Sequence, residues 1–183
     1  LVTLVGQEIL YGKRVLDGGV DADTWINTIA ALLCHDIGYV RGACRQDSAD
    51  RYVANADGGT VTLPPGASDA ALTPCHVDRS KIFVREKLSD LGPFDIDFIC
   101  RAVERTRFPV PAGDDAKVTG DIPGLVRAAD LIGQLADPNY LRKANRLFHE
   151  FQETGMNEKL GYRNPADLAE GYPRFYWGAA RGF

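Results

Sequence analysis

Three histidines, His35, His76 and His149, are the only imidazoles among the 183 residues. His35 follows the apolar run Ala30-Ala31-Leu32-Leu33-Cys34 and precedes Asp36-Ile37-Gly38-Tyr39, so an imidazole and a carboxylate stand side by side at the end of an apolar helix. Consecutive helical residues project about 100° apart, and two neighbours reach one ion only where it lies between their directions, near a helix terminus. Gly38 supplies that terminus. A further carboxylate must come from elsewhere in the chain, and Asp130 sits in Leu125-Val126-Arg127-Ala128-Ala129-Asp130-Leu131-Ile132, surrounded by apolar residues. A buried aspartate is costly unless it is paired or bound to a cation. His35, Asp36 and Asp130 are therefore the candidate metal ligands.

His76, in Thr73-Pro74-Cys75-His76-Val77-Asp78-Arg79-Ser80, precedes a helix for which Asp78 is a suitable cap. Two roles stay open for it: a side chain bonded to loop backbone, or a group aimed at substrate. Arg79 and Arg107 are the candidate phosphate clamps, because a guanidinium offers two parallel donors to an oxyanion. Lys13 and Arg14 are weaker candidates of the same kind, and Lys81, Arg85 and Arg105 read as ordinary solvated helix charges. His149 reads as a helix-surface residue. Cys34, Cys44, Cys75 and Cys100 lack the short paired spacing of a structural zinc site and read as reduced thiols.

The phrase Leu-Leu-Cys-His-Asp-Ile-Gly at 32–38, followed much later by Ala-Ala-Asp-Leu-Ile-Gly at 128–133, resembles the HD superfamily of metal-dependent phosphohydrolases. The resemblance implies an all-α HD-domain helical bundle. It also implies one divalent ion held by a first His, by the doublet His35-Asp36 and by Asp130. No His precedes His35, so the expected place of the first ligand is upstream of Leu1. Two-metal members of the superfamily carry an extra His near the position of His76 and another on the next helix, where this chain has Thr106. One ion is therefore expected, with His76 directed at substrate phosphate or at water on the metal. Imidazole and carboxylate ligands suit Mn, Fe, Co, Ni, Zn or Mg. The expected reaction is hydrolysis of a phosphate monoester or nucleotide by metal-activated water, with Asp36 and His76 as the catalytic pair. Two other functions stay open: an HD-type di-iron oxygenase, and a metal-binding or nucleotide-sensing regulatory module without catalysis.

The elements that must position these residues read as one domain over 1–183. Leu1, Leu4, Val5, Ile9 and Leu10 mark a helix ending at Gly12, and Asp21 or Asp23 caps a second helix carrying Trp25, Ile26, Ile29, Leu32 and Leu33. Helical periodicity dissolves over 41–74, an insertion in which Asp57-Gly58-Gly59 joins Tyr52-Val53 to Val61-Thr62-Leu63 as a small hairpin lying over the doublet. It returns at Asp78, again over Asp95 to Arg105, then after an Asp121 cap with Pro123 in the first turn, and from Asn139 to Thr154. Short helices over 156–183 pack an aromatic tail onto the bundle or into a contact between copies of the chain, leaving a homo-oligomer open. A net charge of −4 argues against a nucleic-acid surface. The absence of a long apolar run argues against a membrane span. A cytoplasmic protein acting on a small phosphorylated substrate is the expectation.

Overall fold

The computed structural model describes residues 1–183. Helices dominate: α1 (Val2–Asp17), α2 (Ala22–Cys34), α3 (His76–Leu88), α4 (Ile96–Glu104), α5 (Asp114–Lys117), α6 (Ile122–Leu135), α7 (Tyr140–Glu153), α8 (Met156–Leu160) and α9 (Pro165–Phe175). The only sheet pairs β1 (Arg51–Val53) with β2 (Thr60–Thr62), antiparallel, with Tyr52 opposite Val61. The expected all-α fold with a small hairpin is what the chain adopts. No helix is long and apolar enough to cross a membrane.

The core lies where α2, α3, α4 and α6 meet. Ala30, Ala31 and Leu32 of α2 pack with Val77 and Val84 of α3, with Ile99, Ala102 and Val103 of α4, and with Val126 and Ala129 of α6. Small residues on α2 and α6 let these helices approach closely, so the C-terminal end of α2 that carries His35 and the stretch of α6 that carries Asp130 are both anchored in the core. Two starts have the expected caps, Asp21 accepting from the Thr24 N–H and Asp121 from Gly124, and Asp95, read as the first residue of its helix, caps it instead by accepting from Phe98. Asp137, ahead of α7, accepts from the Asn139 N–H and pairs with Lys143.

Two boundaries and one short helix differ from the expectation. Helix α1 continues through Gly12 to Asp17 and stops at Gly18, whose φ of 68° turns the chain while its N–H bonds the Arg14 carbonyl. A single internal glycine costs about 1 kcal/mol relative to alanine, too little to end a helix continued by the Lys13–Asp17 pair. Helix α3 starts at His76, two residues before the expected cap. Its cap position, Cys75, gives the helix no side-chain cap, its thiol donating back to the Leu72 carbonyl, and Asp78, inside the first turn, pairs with Lys81 and Arg107. The single turn α5 lies in a stretch that reads as loop.

A second, smaller cluster of Tyr52, Leu72 and Cys75, with Tyr39 and Val61 against it, joins the 41–74 insertion to the bundle. The insertion therefore has its own apolar anchor beside the start of α3.

Candidate metal centre

Helix α2 ends at Cys34, and the chain passes through His35 and Asp36 into a 3-10 turn, Ile37–Tyr39. Gly38 holds this turn against the first turn of α3. A Cβ at Gly38 would lie 1.9 Å from the His76 carbonyl oxygen and 2.8 Å from the Ser80 nitrogen, so only glycine permits the contact. Ser80 closes it by hydrogen bonding. Its Oγ accepts from the Gly38 N–H at 2.9 Å and donates to the His35 carbonyl at 2.7 Å. The doublet and His76 are thus fixed to one another through backbone rather than through long side chains.

The imidazole of His35 donates from Nδ1 to the Leu32 carbonyl at 2.7 Å, and its Nε2 points away from the helix. Nε2 lies 3.2 Å from Asp36 Oδ2 and 3.5 Å from Asp130 Oδ1. It is nevertheless buried without a hydrogen bond of ordinary geometry. Burial disfavours a charge on this ring, but the two carboxylates outweigh it and hold the pKa up at about 10. Partial burial works against ionised Asp36 as well, yet His35 beside it keeps its pKa below the ordinary carboxylate value.

His76 repeats the arrangement. Its Nδ1 donates to the Thr73 carbonyl at 2.7 Å, and its Nε2 faces Asp36 Oδ1 at 3.8 Å. Tyr39 stacks on the ring with centroids 4.3 Å apart and planes 15° from parallel. Burial raises the Tyr39 hydroxyl to about 12, opposed by a bond to Thr73 and reinforced by the charges of Asp36, Glu150 and Asp130. Three carboxylates therefore act on the Tyr39 hydroxyl.

The structure thus brings His35, Asp36, Asp130 and His76 together. As the side chains stand, no three of them close on a single point as a finished metal shell would. Bonds of about 2.1 Å put adjacent ligands roughly 3.0 Å apart, a few tenths of an ångström tighter than the separations around His35 Nε2. Asp36 has the freedom to make up the difference, its side chain being 54% exposed. An imidazole lone pair and two carboxylates facing one another are all acceptors, and a cation or a proton between them satisfies all three. The donor set fits a divalent ion.

The two proposed clamps are corrected. Arg79 is 0% exposed and spends all five N–H donors inside the protein. Nε bonds the Gly38 carbonyl, Nη1 bonds Asp47 and the Val53 carbonyl, and Nη2 bonds Asp47 and the Val40 carbonyl, at 2.6–3.0 Å. It ties the insertion to the doublet and has no donor left for a substrate. Arg107 lies in a closed set of charges with Glu104, Asp78 and Lys81, two acids against two bases, and its charge is already balanced. Lys13 pairs with Asp17, and His149 is exposed on α7. The insertion reaches the site through Arg79 and through Thr73, which orients His76.

Reading the residues alone missed Tyr39, Ser80 and Asp47. Ser80 lies one helical turn after His76, a spacing that marks it as a neighbour on the same face. Nothing local marks Asp47, because its partner is 32 positions away in sequence.

No curated protein and no solved structure matches the chain. One family model does, over residues 1–183, with a description that names no activity. The chain therefore belongs to the Npun_R2479-like family.

Proposed function

We propose that this protein is a metal-dependent phosphohydrolase of the HD type, acting on a phosphate monoester or nucleotide. The observation that carries the reading is His35 Nε2. It is a buried ring nitrogen without a hydrogen bond, its other nitrogen committed to the Leu32 carbonyl, and it faces carboxylates from the doublet and from α6. The Nδ1–H bond holds the tautomer whose Nε2 lone pair serves as a ligand. His35, Asp36 and Asp130 would hold the ion. Bound there, a divalent ion supplies Lewis-acid activation of water and of the phosphoryl group.

The chain's own contribution is positional and acid–base. The ring of His76 is held by Thr73 on one edge and Tyr39 on one face, so its Nε2 is oriented to accept a proton from attacking water and return it to the leaving oxygen. Asp36 Oδ1, facing that nitrogen, stabilises the imidazolium that forms. With Arg79 and Arg107 engaged elsewhere, the cation would be the chief attraction for a phosphate beside Asp36 and Asp130.

One observation favours a second reading. The two oxygens of Asp36 face different histidines, His35 and His76, an arrangement compatible with a bridge between two ions, as a di-iron oxygenase requires. The deciding experiment is a screen of phosphorylated compounds with purified protein of measured metal content, comparing wild type with Asp36→Ala. Hydrolysis lost in the variant supports the proposal. Hydrolysis that survives Asp36→Ala refutes the mechanism, and two irons per chain with oxygen uptake and no hydrolysis favours the second reading.

A further inference from the structure

Arg127, one helical turn before Asp130 on α6, is 3% exposed and has no carboxylate of its own. Its Nε donates to the Arg105 carbonyl and its Nη1 to the Ala116 carbonyl, each at 2.6 Å, and the Phe183 ring lies over the guanidinium at 4.6 Å. Its Nη2 is buried with no partner. Arg105, whose backbone Arg127 grips, is itself mostly buried, and its Nη1 is likewise buried with no partner. The carboxylate that pairs with Arg105 is Asp121, 3.4 Å from its Nη2, and that carboxylate also caps α6 through the Gly124 N–H.

Arg79 shows how this fold treats a buried guanidinium when the protein satisfies it alone: a two-point carboxylate contact and no idle donor. At the junction of α4, α5 and α6 the same chemistry is left incomplete. Two buried cations have one half-exposed carboxylate, on Arg105, and one Nη nitrogen of each guanidinium is left without an acceptor. A buried charge surplus of this kind is costly without a counter-charge. Planar guanidinium forks match oxyanions best.

We propose that Arg105 and Arg127 form a binding site for a small oxyanion of phosphate size, separate from the cleft at His35. The site is independent of the metal reading, because none of its groups belongs to that centre. Binding supplies acceptors to both idle donors and ties the end of α4 to α6, the helix that carries Asp130.

The test is a titration of chelator-treated full-length protein with inorganic phosphate at constant ionic strength, following melting temperature and the arginine Nε–H resonances. Saturable stabilisation is expected, with the Arg127 Nε–H signal shifting along the same curve. Arg105→Gln should weaken it at least about tenfold, while Asp36→Ala leaves it intact, separating this site from phosphate held at the doublet. A response no larger than that to chloride, or one unchanged in Arg105→Gln, overturns the proposal and leaves water as the partner of both donors. If Arg105→Gln does not fold, the wild-type Nε–H titration decides alone: a saturable Arg127 shift supports the site and an unmoved signal refutes it.

Discussion

Replacing Gly38 by alanine tests whether the doublet is held by backbone contact with α3. The added Cβ would meet the His76 carbonyl oxygen at 1.9 Å and its carbon at 2.7 Å, and ordinary contact begins near 3.4 Å. The turn and the helix must therefore separate by about 1.5 Å, and no flexible side chain can absorb the shift because the obstructing atoms are backbone. Three hydrogen bonds span this contact: Gly38 N–H to Ser80, Ser80 to the His35 carbonyl and Arg79 to the Gly38 carbonyl. Losing two or three at about 1 kcal/mol each, with overpacking of about 1–3 kcal/mol, gives a destabilisation of roughly 3–6 kcal/mol. For a domain of this size the melting temperature should fall by about 10 °C. Gly12→Ala is the matched control, since a Cβ there meets nothing within 4 Å and should be neutral or stabilising by up to about 1 kcal/mol. Denaturant unfolding of both variants measures the difference. A Gly38→Ala protein within about 1 kcal/mol of wild type would refute the packing argument.

Asp47→Asn should destabilise by about 3 kcal/mol, because it leaves the fully buried Arg79 charge without its counter-charge. The same pair sets an acid limit. Burial works against the Asp47 charge but Arg79 overrides it, so its folded pKa lies below the ordinary 3.8. The pair's stability is complete above that value and is lost as pH falls through the lower folded one. Unfolding free energy measured from pH 6 to 2 should drop more steeply for wild type than for Asp47→Asn, and equal slopes would contradict the assignment. In metal-free protein His35 titrates near 10, so its contribution to stability is full below about 6.5 and declines as pH rises through 10. A divalent ion taking Nε2 at pH 8 must displace that proton, and calorimetry in buffers of different ionisation enthalpy should report about one proton released per ion. Tyr39→Ala removes the stack on His76 and should lower kcat by about tenfold with KM little changed, whereas a change confined to KM would assign Tyr39 to substrate binding.

Much of the architecture is legible locally. Asp21, Asp95 and Asp121 announce helix starts because a short carboxylate satisfies free N–H groups within three residues, and the Asp57-Gly58-Gly59 turn announces the hairpin in the same way. His35, Asp36 and Asp130 stand out because polar groups amid apolar helix are expensive unless they meet something. Arg79 is the instructive failure. On a helix it reads as a charge facing solvent or substrate, and only the fold brings Asp47, Gly38, Val40 and Val53 around it. Arg107 fails for a related reason, since its partner Asp78 reads more naturally as a helix cap. The end of α1 is hidden because one internal glycine, Gly12, weakens a helix without stopping it. Tertiary partners far apart in sequence carry no local signal, and those are the partners that decide whether an arginine is free.

The central claim is that His35, Asp36 and Asp130 share a cation, and the most direct measurement is the metal stoichiometry of chelated, repurified protein re-equilibrated with Mn, Fe or Zn. Wild type should retain at least about one ion per chain, while Asp130→Ala and His35→Ala, verified as folded by circular dichroism, should retain almost none. Equal metal content in wild type and Asp130→Ala would contradict the account.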